Sequence, residues 1–289
     1  MKNHQSCPAC NSEYFSSLKR YENEKLSKCQ NCHLVFTLKT PSEDELGSHY
    51  EQYSRNDFLS PITVSRYNEL LTKFEPFKDK GRILDIGCGS GYFLDQAKKS
   101  DWLVHGSEFT DDAVDICENK GIKMHKGSLE SIDFGDLKFD VITSFEVLEH
   151  LNNPQIHIQK ISSLLRKGGL LYLTTPNFNS FNSRYLKERW NVISYPEHLC
   201  YYNNKSLHEL LVKNGFNRQT IKTEGISPGR LMNSKKNQHM DFTSSDTQDE
   251  NLRESIEKSP LLRFAKKSVN SGLSLLGLGE TLKAYYVKS

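Results

Sequence analysis

The stretch RILDIGCGSGYFL, residues 82–94, decides the fold of this chain. It opens with an apolar run typical of a buried strand, and Asp85 lies near the end of that run. Gly87, Gly89 and Gly91 follow within five residues, and a helix-like pattern begins directly after them. Because glycine tolerates positive φ and lets a ligand approach the main chain closely, the stretch predicts a strand, a ligand-binding turn and a helix.

The acid in front of the glycines narrows the choice of ligand. A dinucleotide site usually has the spacing G-x-G-x-x-G and binds pyrophosphate at the helix N-terminus. Here the spacing is G-x-G-x-G, and the carboxylate of Asp85 would repel phosphate. A cationic nucleoside without phosphate, such as S-adenosylmethionine, would be attracted instead. Glu108, at the end of the next predicted strand, can accept hydrogen bonds from both ribose hydroxyls, although NAD sites use the same device.

The chain around this stretch alternates apolar strands with helical segments from Gly81 to Gly215. Strands are predicted in RILDIG, LVHGSEF, IKMHKG, FDVITSF and GLLYLTT, and helices are predicted at 91–99, 111–120 and 154–166. This βαβ order predicts an α/β fold with a parallel, doubly wound sheet. A sixth strand is predicted in NRQTIKTEGIS, and a last strand in ETLKAYYVK can pair antiparallel with it.

Length and composition set the organisation of the whole chain, whose 289 residues suffice for one large domain and an appendage. The net charge of +2 gives no basis for nucleic-acid binding through bulk electrostatics. The N-terminus lacks the apolar core of a signal peptide and no window reaches membrane-spanning length, so we expect a cytoplasmic protein. The predicted parts are a zinc-binding lobe (1–40), a helical lid or linker (41–80), the core (81–227), a polar insertion expected to be mobile (228–259), and a C-terminal helix with the last strand (260–289).

The zinc-binding lobe is predicted from two C-x-x-C pairs with the spacing C-x2-C-x18-C-x2-C, formed by Cys7, Cys10, Cys29 and Cys32. Four thiolates complete a closed tetrahedral Zn²⁺ site that leaves no position for substrate, so the predicted role is structural, in a small zinc ribbon. Metal binding would supply the free energy that so small a lobe cannot obtain by burying apolar surface. A redox dithiol is the alternative for either pair alone, and the odd total of seven cysteines argues against a disulfide framework.

The motifs LDIGCGSG, the acid that ends strand two, FDVITSFEVLEHL and GGLLYLTTPN together resemble class I S-adenosylmethionine-dependent methyltransferases. The resemblance covers residues 50–225 and implies a Rossmann-like, seven-stranded sheet whose last strand rejoins near residue 280. The residues implied at the methionine end of the cofactor are Asp85, Gly87, Cys88, Gly89 and Gly91, with Glu108 on the ribose. Those implied around the adenine are Phe109, Ser128, Leu129 and Glu130. Those implied beside the cofactor after strand four are Phe145 and Glu146.

The four-cysteine lobe narrows this resemblance to a smaller group of methyltransferases. The pattern CPAC…CQNCHLVFTL…PSEDEL…YEQY is similar to bacterial methyltransferases of cell-surface sugar, polysaccharide and natural-product pathways. It implies methyl transfer to a hydroxyl or carbon of a small-molecule acceptor, with a sugar favoured. Some ribosomal RNA methyltransferases also begin with such a lobe, but residues 1–40 are only mildly basic. An rRNA or tRNA methyltransferase and a non-catalytic zinc-binding scaffold remain as alternatives.

The stretch YPEHLCYYN after strand five supplies the candidate acceptor residues. Methyl transfer from a sulfonium is a displacement, and the acceptor often has to lose a proton. His198 can serve as the base, and Glu197 can orient it or stabilise its charge. Alternatively, His198 caps the following helix. Tyr195 and Tyr201 are candidates for the wall of the acceptor pocket.

Two other patterns near the predicted cofactor site are open to two interpretations each. Glu146, Glu149 and His150 match an E-x-x-E-H pattern that binds a divalent metal in quinone O-methyltransferase relatives, but a turn packed beside the cofactor is the preferred interpretation. The resemblance places Tyr50 and Tyr53 on a lid over cofactor and acceptor. They can equally be half-buried helix residues.

The predicted C-terminal helix is amphipathic. Its apolar face consists of Leu262, Ala265, Val269, Leu273 and Leu276, and its polar face consists of Arg263, Lys266, Lys267 and Asn270. Packing of the apolar face on the protein's own domain is preferred. Peripheral contact with a membrane or a lipid-linked acceptor is the alternative.

Overall fold

The computed structural model describes residues 2–42, 45, 59–226, 256 and 259–289. The N-terminal lobe contains the short strands β1 (Lys2–Asn3), β2 (Phe15–Ser17), β3 (Leu26–Cys29), β4 (Val35–Thr37) and β5 (Lys39–Thr40). Strands β2, β3 and β4 pair antiparallel, and β1 pairs with β5. Tyr50, Tyr53 and nearly all of the predicted insertion 228–259 lie outside the described residues.

A seven-stranded sheet forms the centre of the molecule, as the sequence predicts. Its strands are β6 (Arg82–Ile86), β7 (Leu103–Glu108), β8 (Lys123–Lys126), β9 (Phe139–Phe145), β10 (Leu165–Pro176), β12 (Phe216–Glu224) and β13 (Thr281–Lys288). The spatial order is β12-β13-β10-β9-β6-β7-β8. The last strand, β13, runs antiparallel to both of its neighbours, and the other observed pairs are parallel.

Helices cover this sheet and connect its strands. They are α1 (Pro61–Phe74), α2 (Tyr92–Lys99), α3 (Asp111–Asn119), α4 (Pro154–Leu164), α5 (Phe181–Leu186), α6 (Asn204–Lys213) and α7 (Pro260–Leu276). None of the helices in the described part of the chain has both the length and the apolar character needed to cross a lipid bilayer.

The apolar core lies on both faces of the sheet. Along β6, Ile83 packs with the cluster under α1 and α2, whereas Leu84 packs with the opposite cluster, because successive strand residues point to opposite faces. The cluster that contains Leu84 continues into the N-terminal lobe, where it includes Cys7 and Phe36. The lobe and the sheet therefore share one core.

A short strand of the larger part of the chain joins the lobe's own sheet. Strand β11 (Cys200–Tyr201) pairs antiparallel with β4, and Cys200 lies opposite Phe36. The amide of Thr37 donates to the carbonyl of Leu199 at 3.0 Å. The stretch predicted to contain the acceptor residues is thus attached to the four-cysteine lobe.

Helix α7 forms where predicted, but its predicted apolar face does not form the contact with the domain. No residue of α7 is buried. The contacts with the neighbouring strand and its end come from Asn270 and Ser274, which accept backbone hydrogen bonds from Gly225 and Thr223. Leu262, Val269 and Leu276 remain 44%, 54% and 68% exposed, so the preferred interpretation of this face was wrong.

Candidate cofactor and acceptor site

The glycine loop between β6 and α2 adopts a left-handed conformation at three of its positions, which favours glycine there. Gly87, Gly89 and Gly91 have φ of +65°, +53° and +72°. A Cβ on Gly91 would lie 2.7 Å from both the Cys117 Sγ and the Ile122 Cδ1 atoms. A Cβ on Gly89 would have no neighbour within 4 Å. The loop is therefore packed from below at Gly91 and open at Gly89, which suits the close approach of a ligand.

Glu108, at the end of β7, is connected to this loop. One of its carboxylate oxygens accepts the Gly89 amide at 2.9 Å, and the other accepts the Phe109 amide at 2.8 Å. A carboxylate has about four acceptor positions, so both oxygens retain capacity for ligand hydroxyls. The Phe109 ring beside it is 65% exposed, although it is a large apolar group.

Asp85 is buried beneath the loop, with 2% of its surface exposed. Thr143 Oγ1 donates a 2.7 Å hydrogen bond to its carboxyl group. Burial raises the pKa of Asp85 to about 8, and the nearby charge of Glu108 acts in the same direction. The group therefore holds a proton at neutral pH in this state, and a nearby cation would stabilise its ionised form.

Three residues predicted to lie around the adenine have different surroundings in the structure, namely Ser128, Leu129 and Glu130. Leu129 is buried in the core, and the hydroxyl of Ser128 donates to that of Ser131 at 3.0 Å. Glu130 Oε1 lies 2.7 Å from His157 Nδ1 on α4. Because Glu130 has this partner, its predicted contact with the adenine edge stays a prediction.

The segment after β9 borders the glycine loop. Phe145 packs edge-on against Phe93, with ring centroids 5.1 Å apart. Glu146 has a φ of +50°, an uncommon conformation for a residue with a side chain. Val147 lies directly below Gly87, since its Cγ2 atom is 2.8 Å from where a Cβ on Gly87 would be. This segment therefore limits the space beside the loop.

His198 lies next to the same segment. Its Nδ1 atom is 2.6 Å from the carbonyl oxygen of Val192, so Nδ1 carries the proton and Nε2 is the basic nitrogen. Its ring lies 4.8 Å from that of His150, whose amide donates to Val147. The observed contact of Glu197 with this pair is its carbonyl oxygen, 2.7 Å from His150 Nδ1. The orienting role predicted for the Glu197 carboxylate stays a prediction.

The two predicted pocket tyrosines differ in their surroundings. Tyr201 is 3% exposed, packs against the four-cysteine lobe, and donates from its hydroxyl to the His198 carbonyl at 3.0 Å. Tyr195 is half-buried, and the Lys39 ammonium lies 4.1 Å from the centre of its ring. Tyr201 thus supports the main chain at His198, whereas Tyr195 connects this segment to β5.

The structure brings Glu149, His150 and His198 together, with one potential ligand atom from each within 4.8 Å of the others. The sequence pattern had paired the first two with Glu146, and nothing in the sequence indicated that the predicted base, His198, lies beside them. Glu149 is 2% exposed and accepts the Thr175 hydroxyl at 2.9 Å. Burial raises its pKa well above the ordinary value, and the charge of Glu146 acts in the same direction. One carboxylate and two imidazoles form a donor set that can hold a divalent metal.

The four cysteines of the lobe fit a zinc ion. The sulfur atoms of Cys7 and Cys32 are 3.5 Å apart, those of Cys10 and Cys29 are 3.6 Å apart, and all four lie within 4.8 Å of one another. A tetrahedron of thiolates at a Zn–S distance of about 2.3 Å has edges of about 3.8 Å. The residue after each pair, Asn11 or His33, has a left-handed φ of 60° or 59°, which closes a tight turn.

The family is decided by a match over more than half of the chain. Residues 58–221 match a family model described as "Methyltransferase domain". The chain belongs to the methyltransferase domain family. This confirms the resemblance inferred from the glycine loop and the strand motifs. The match covers β6 to β10 and most of β12, and so includes both sides of the candidate site.

Relatives and solved structures agree with this assignment. The methyltransferase domain is 31% identical over 128 residues to a ubiquinone biosynthesis O-methyltransferase of Coxiella burnetii, covering 42% of this chain and 52% of that protein. It is 30% identical over 162 residues to the Haemophilus ducreyi protein of the same name, covering 52% of this chain and 64% of that one. The chain thus spans about half to two thirds of the length of these curated relatives.

Two solved structures show the fold. One is phosphoethanolamine N-methyltransferase 2 of Haemonchus contortus in complex with S-adenosyl-L-methionine, with a TM-score of 0.53 and 21% identity over 88% of this chain and 61% of that one. The other is the [4+2]-cyclase SpnF, with a TM-score of 0.54 and 17% identity over 86% and 97% of the two chains. These structures establish that the sheet is the methyltransferase-type sheet.

Two contacts within the candidate site of this methyltransferase domain have no signal in the sequence. Val192, whose carbonyl orients His198, lies in a stretch without a motif. The contact between the rings of His150 and His198, whose planes are tilted by 55°, joins residues 48 positions apart, and no periodic pattern connects them. The cis peptide Tyr195–Pro196 lies in the same segment.

Proposed function

We propose that this protein transfers the methyl group of S-adenosylmethionine to a hydroxyl or carbon of a small-molecule acceptor, with a sugar or polysaccharide precursor as the favoured class. The observation that carries the proposal is the arrangement of acids around the open glycine loop. Asp85 lies beneath the loop and Glu108 is bonded to it through Gly89. This arrangement disfavours phosphate and suits a ligand with a positively charged sulfur and a ribose.

Each residue of the cofactor side has a defined task in this proposal. Glu108 would accept hydrogen bonds from the ribose hydroxyls, and the exposed ring of Phe109 would pack on the adenine. Asp85 would lose its proton when the cation binds and so offset the positive charge. When bound, the cofactor supplies an activated methyl group for displacement by an oxygen or carbon nucleophile.

His198 is the proposed base. Its Nδ1 proton is held by the Val192 carbonyl, so Nε2 can take the proton that the acceptor loses as its oxygen or carbon attacks the methyl group. The hydrogen bond from Tyr201 to the His198 carbonyl would keep the imidazole in position. The name O-methyltransferase carried by the curated relatives supports a hydroxyl acceptor. The four-cysteine lobe supports the sugar class through the resemblance stated above.

Zinc in the lobe and a cytoplasmic location belong to the same proposal. Four reduced thiols with sulfur–sulfur distances near those of a thiolate tetrahedron support zinc. Such thiols persist in a reducing compartment, which supports the cytoplasm.

The decisive experiment is calorimetric titration with S-adenosylmethionine and, separately, with NADH. We expect binding of the sulfonium compound and none of NADH. Glu108→Ala should weaken the affinity at least tenfold, since a ribose partner is lost. The matched control is Asp111→Ala, an exposed acid three residues away on α3, which should leave the affinity unchanged. Binding of NADH in preference to the sulfonium compound would overturn the proposal.

Turnover is then measured as formation of S-adenosylhomocysteine with a panel of sugar nucleotides, a panel of phenolic acceptors and total RNA. We expect turnover with a sugar nucleotide and its loss in His198→Ala with cofactor affinity retained. Turnover on RNA, accompanied by RNA affinity that falls steeply with salt, would favour the alternative of an RNA methyltransferase. Cofactor binding without turnover on any panel would favour a non-catalytic scaffold.

A further inference from the structure

Helix α7 is oriented with its polar edge toward the protein. Asn270 Oδ1 accepts the Gly225 amide at 3.1 Å, and Ser274 Oγ accepts the Thr223 amide at 3.3 Å. The Thr223 hydroxyl donates to the Leu273 carbonyl at 3.0 Å. An amphipathic helix on a globular protein normally packs with its apolar face inward. Here hydrogen bonds fix the helix in the opposite orientation.

Most apolar side chains of α7 consequently point outward, and Leu273 is half-buried. Leu261 and Asn270 are nine residues apart, which places them about 180° apart around a helix of 3.6 residues per turn. Leu261, Phe264, Leu275 and Leu276 are 76%, 71%, 87% and 68% exposed. Contiguous exposure of large apolar side chains on a helix is typical of a surface that binds another apolar phase.

The charge of α7 indicates the chemical nature of the apolar partner that this surface binds. The helix carries Arg263, Lys266 and Lys267 and no acidic residue. The chain as a whole is nearly balanced, with 38 basic and 36 acidic residues, so the helix is far more basic than its surroundings. Lys266 and Lys267 border the apolar face, whereas Arg263 lies about two turns before Asn270 on the polar edge. An apolar face bordered by cations matches the boundary between the acyl chains and the headgroups of an anionic bilayer.

A second group of side chains extends this surface. Helix α5 begins next to the C-terminal end of α7, since the Phe181 amide donates to the Leu278 carbonyl at 2.9 Å. The rings of Phe181 and Tyr185 stack with an interplanar angle of 5° and are 45% and 51% exposed. Exposed basic residues follow on this segment, namely Arg184, Lys187 and Arg189. Exposed aromatics with neighbouring cations are enriched where proteins meet the bilayer interface.

This surface is firmly attached to the edge of the sheet that contains the candidate site. Asn177 follows β10 at its carboxyl end, and its side-chain amide donates to the carbonyls of Gly277 and Gly279 at 3.0 Å and 2.7 Å. The loop after α7 is thereby fixed next to the strand end that leads into the acceptor side.

We infer that α7 and the start of α5 form a docking surface for an anionic lipid bilayer, with α7 lying in the plane of the interface. The apolar face of α7 enters the acyl-chain boundary, and the basic residues contact acidic headgroups. Docking brings the carboxyl edge of the sheet close to the membrane surface. Binding to lipid requires no turnover, so its test is independent of the proposed methyl transfer.

The test is flotation of the full chain with vesicles of phosphatidylcholine alone and of phosphatidylcholine with 30% phosphatidylglycerol. We expect at least tenfold stronger binding to the anionic vesicles. Leu275→Ser combined with Phe264→Ser should abolish this binding, while the thermal unfolding midpoint and the S-adenosylmethionine affinity stay unchanged because both side chains are exposed. The matched control is Ile156→Ser, which removes an apolar residue that is 48% exposed on α4.

Two further variants sharpen the result. Arg263→Gln with Lys267→Gln should reduce the preference for anionic vesicles and leave residual binding to both kinds. Phe264→Trp adds an exposed reporter, since both native tryptophans are at most 3% exposed, and its emission should shift to the blue on vesicles. Absence of vesicle binding would overturn the inference. So would light scattering that shows a dimer which Leu275→Ser converts to a monomer, because a second copy would then cover the helix.

Discussion

The proposed cofactor side and the proposed acceptor side of the sheet edge are held in place by different means. On the cofactor side, the glycine loop rests directly on packed side chains, with Gly91 against Cys117 and Ile122. On the acceptor side, the segment around His198 is held through β11, which pairs with a strand of the four-cysteine lobe. One side therefore depends on apolar packing within the sheet, and the other on a lobe whose stability we attribute to a metal. We therefore expect that a substitution that destabilises one side leaves the other side folded.

The largest effect should come from the lobe. Cys29→Ser should abolish zinc binding and release the acceptor segment, because β3 and β4 lose the site that fixes them. We expect amide exchange to accelerate at least a hundredfold at residues 198–201 and to stay near wild type at residues 83–94, with zinc content measured by mass spectrometry. Cys200→Ala is the control, since this buried thiol lies beside the lobe and outside the four-sulfur cluster. Equal acceleration in both regions would contradict the comparison.

The packing beneath the cofactor loop can be broken at one glycine. Gly91→Ala should destabilise the protein by about 2–5 kcal/mol, because alanine at positive φ costs about 1–2 kcal/mol and the new Cβ overpacks the core by about 1–3 kcal/mol more. Gly89→Ala should lose only the first part, since nothing lies within 4 Å of its Cβ position. The difference is measured by urea unfolding. Equal losses in the two variants would show that conformation alone, without packing, holds the loop.

The charge of the cofactor side predicts a pH dependence. The folded-state pKa of Asp85 is about 8 against an ordinary value of 3.8, so the unfolded chain binds fewer protons between these values. The free energy of unfolding without ligand should therefore fall as the pH rises from about 4 to about 8. Affinity for S-adenosylmethionine should rise over the upper part of this range, because binding of the cation requires the ionised carboxylate.

Asp85→Asn tests both predicted pH dependences, that of the stability without ligand and that of the affinity for S-adenosylmethionine. The amide should weaken cofactor binding by about tenfold to a hundredfold at pH 8, a loss of about 1.4–2.7 kcal/mol. It should also increase the stability of the unliganded protein at pH 8 relative to wild type. Calorimetry and thermal unfolding at pH 6 and pH 8 provide the measurements. A variant with unchanged pH dependence would show that another group titrates there.

The smallest expected effect concerns the contact between α6 and the lobe. Asn203 caps α6 by accepting the amides of Lys205 and Ser206, and its side-chain amide donates to the His33 carbonyl at 3.3 Å. Asn203→Ala should reduce the free energy of unfolding by about 1 kcal/mol. Asn217→Ala, on an exposed part of β12, is the control and should be neutral. A neutral Asn203→Ala would show that the lobe is held by strand pairing and the shared core alone.

The features that could be predicted from the sequence are those in which neighbours along the chain determine the structure. FDVITSF was predicted as a strand and forms β9 over Phe139–Phe145, because a central parallel strand is apolar on both faces. The glycine loop and the two C-x-x-C pairs were found because positive φ and metal ligation restrict residue types at fixed spacing. The amphipathic period likewise predicted the helix that forms α7.

The sequence by itself therefore determined the order of strands and helices, the glycine loop with its two acids, and the two cysteine pairs that form the four-sulfur cluster. Tertiary structure alone decided that the ring of His150 lies against that of His198, that β11 joins the lobe's sheet, and that α7 presents its polar edge to Gly225 and Thr223. The physical reason is distance along the chain. These contacts join residues from 45 to more than 160 positions apart, so their formation depends on strand register and packing rather than on any local periodicity.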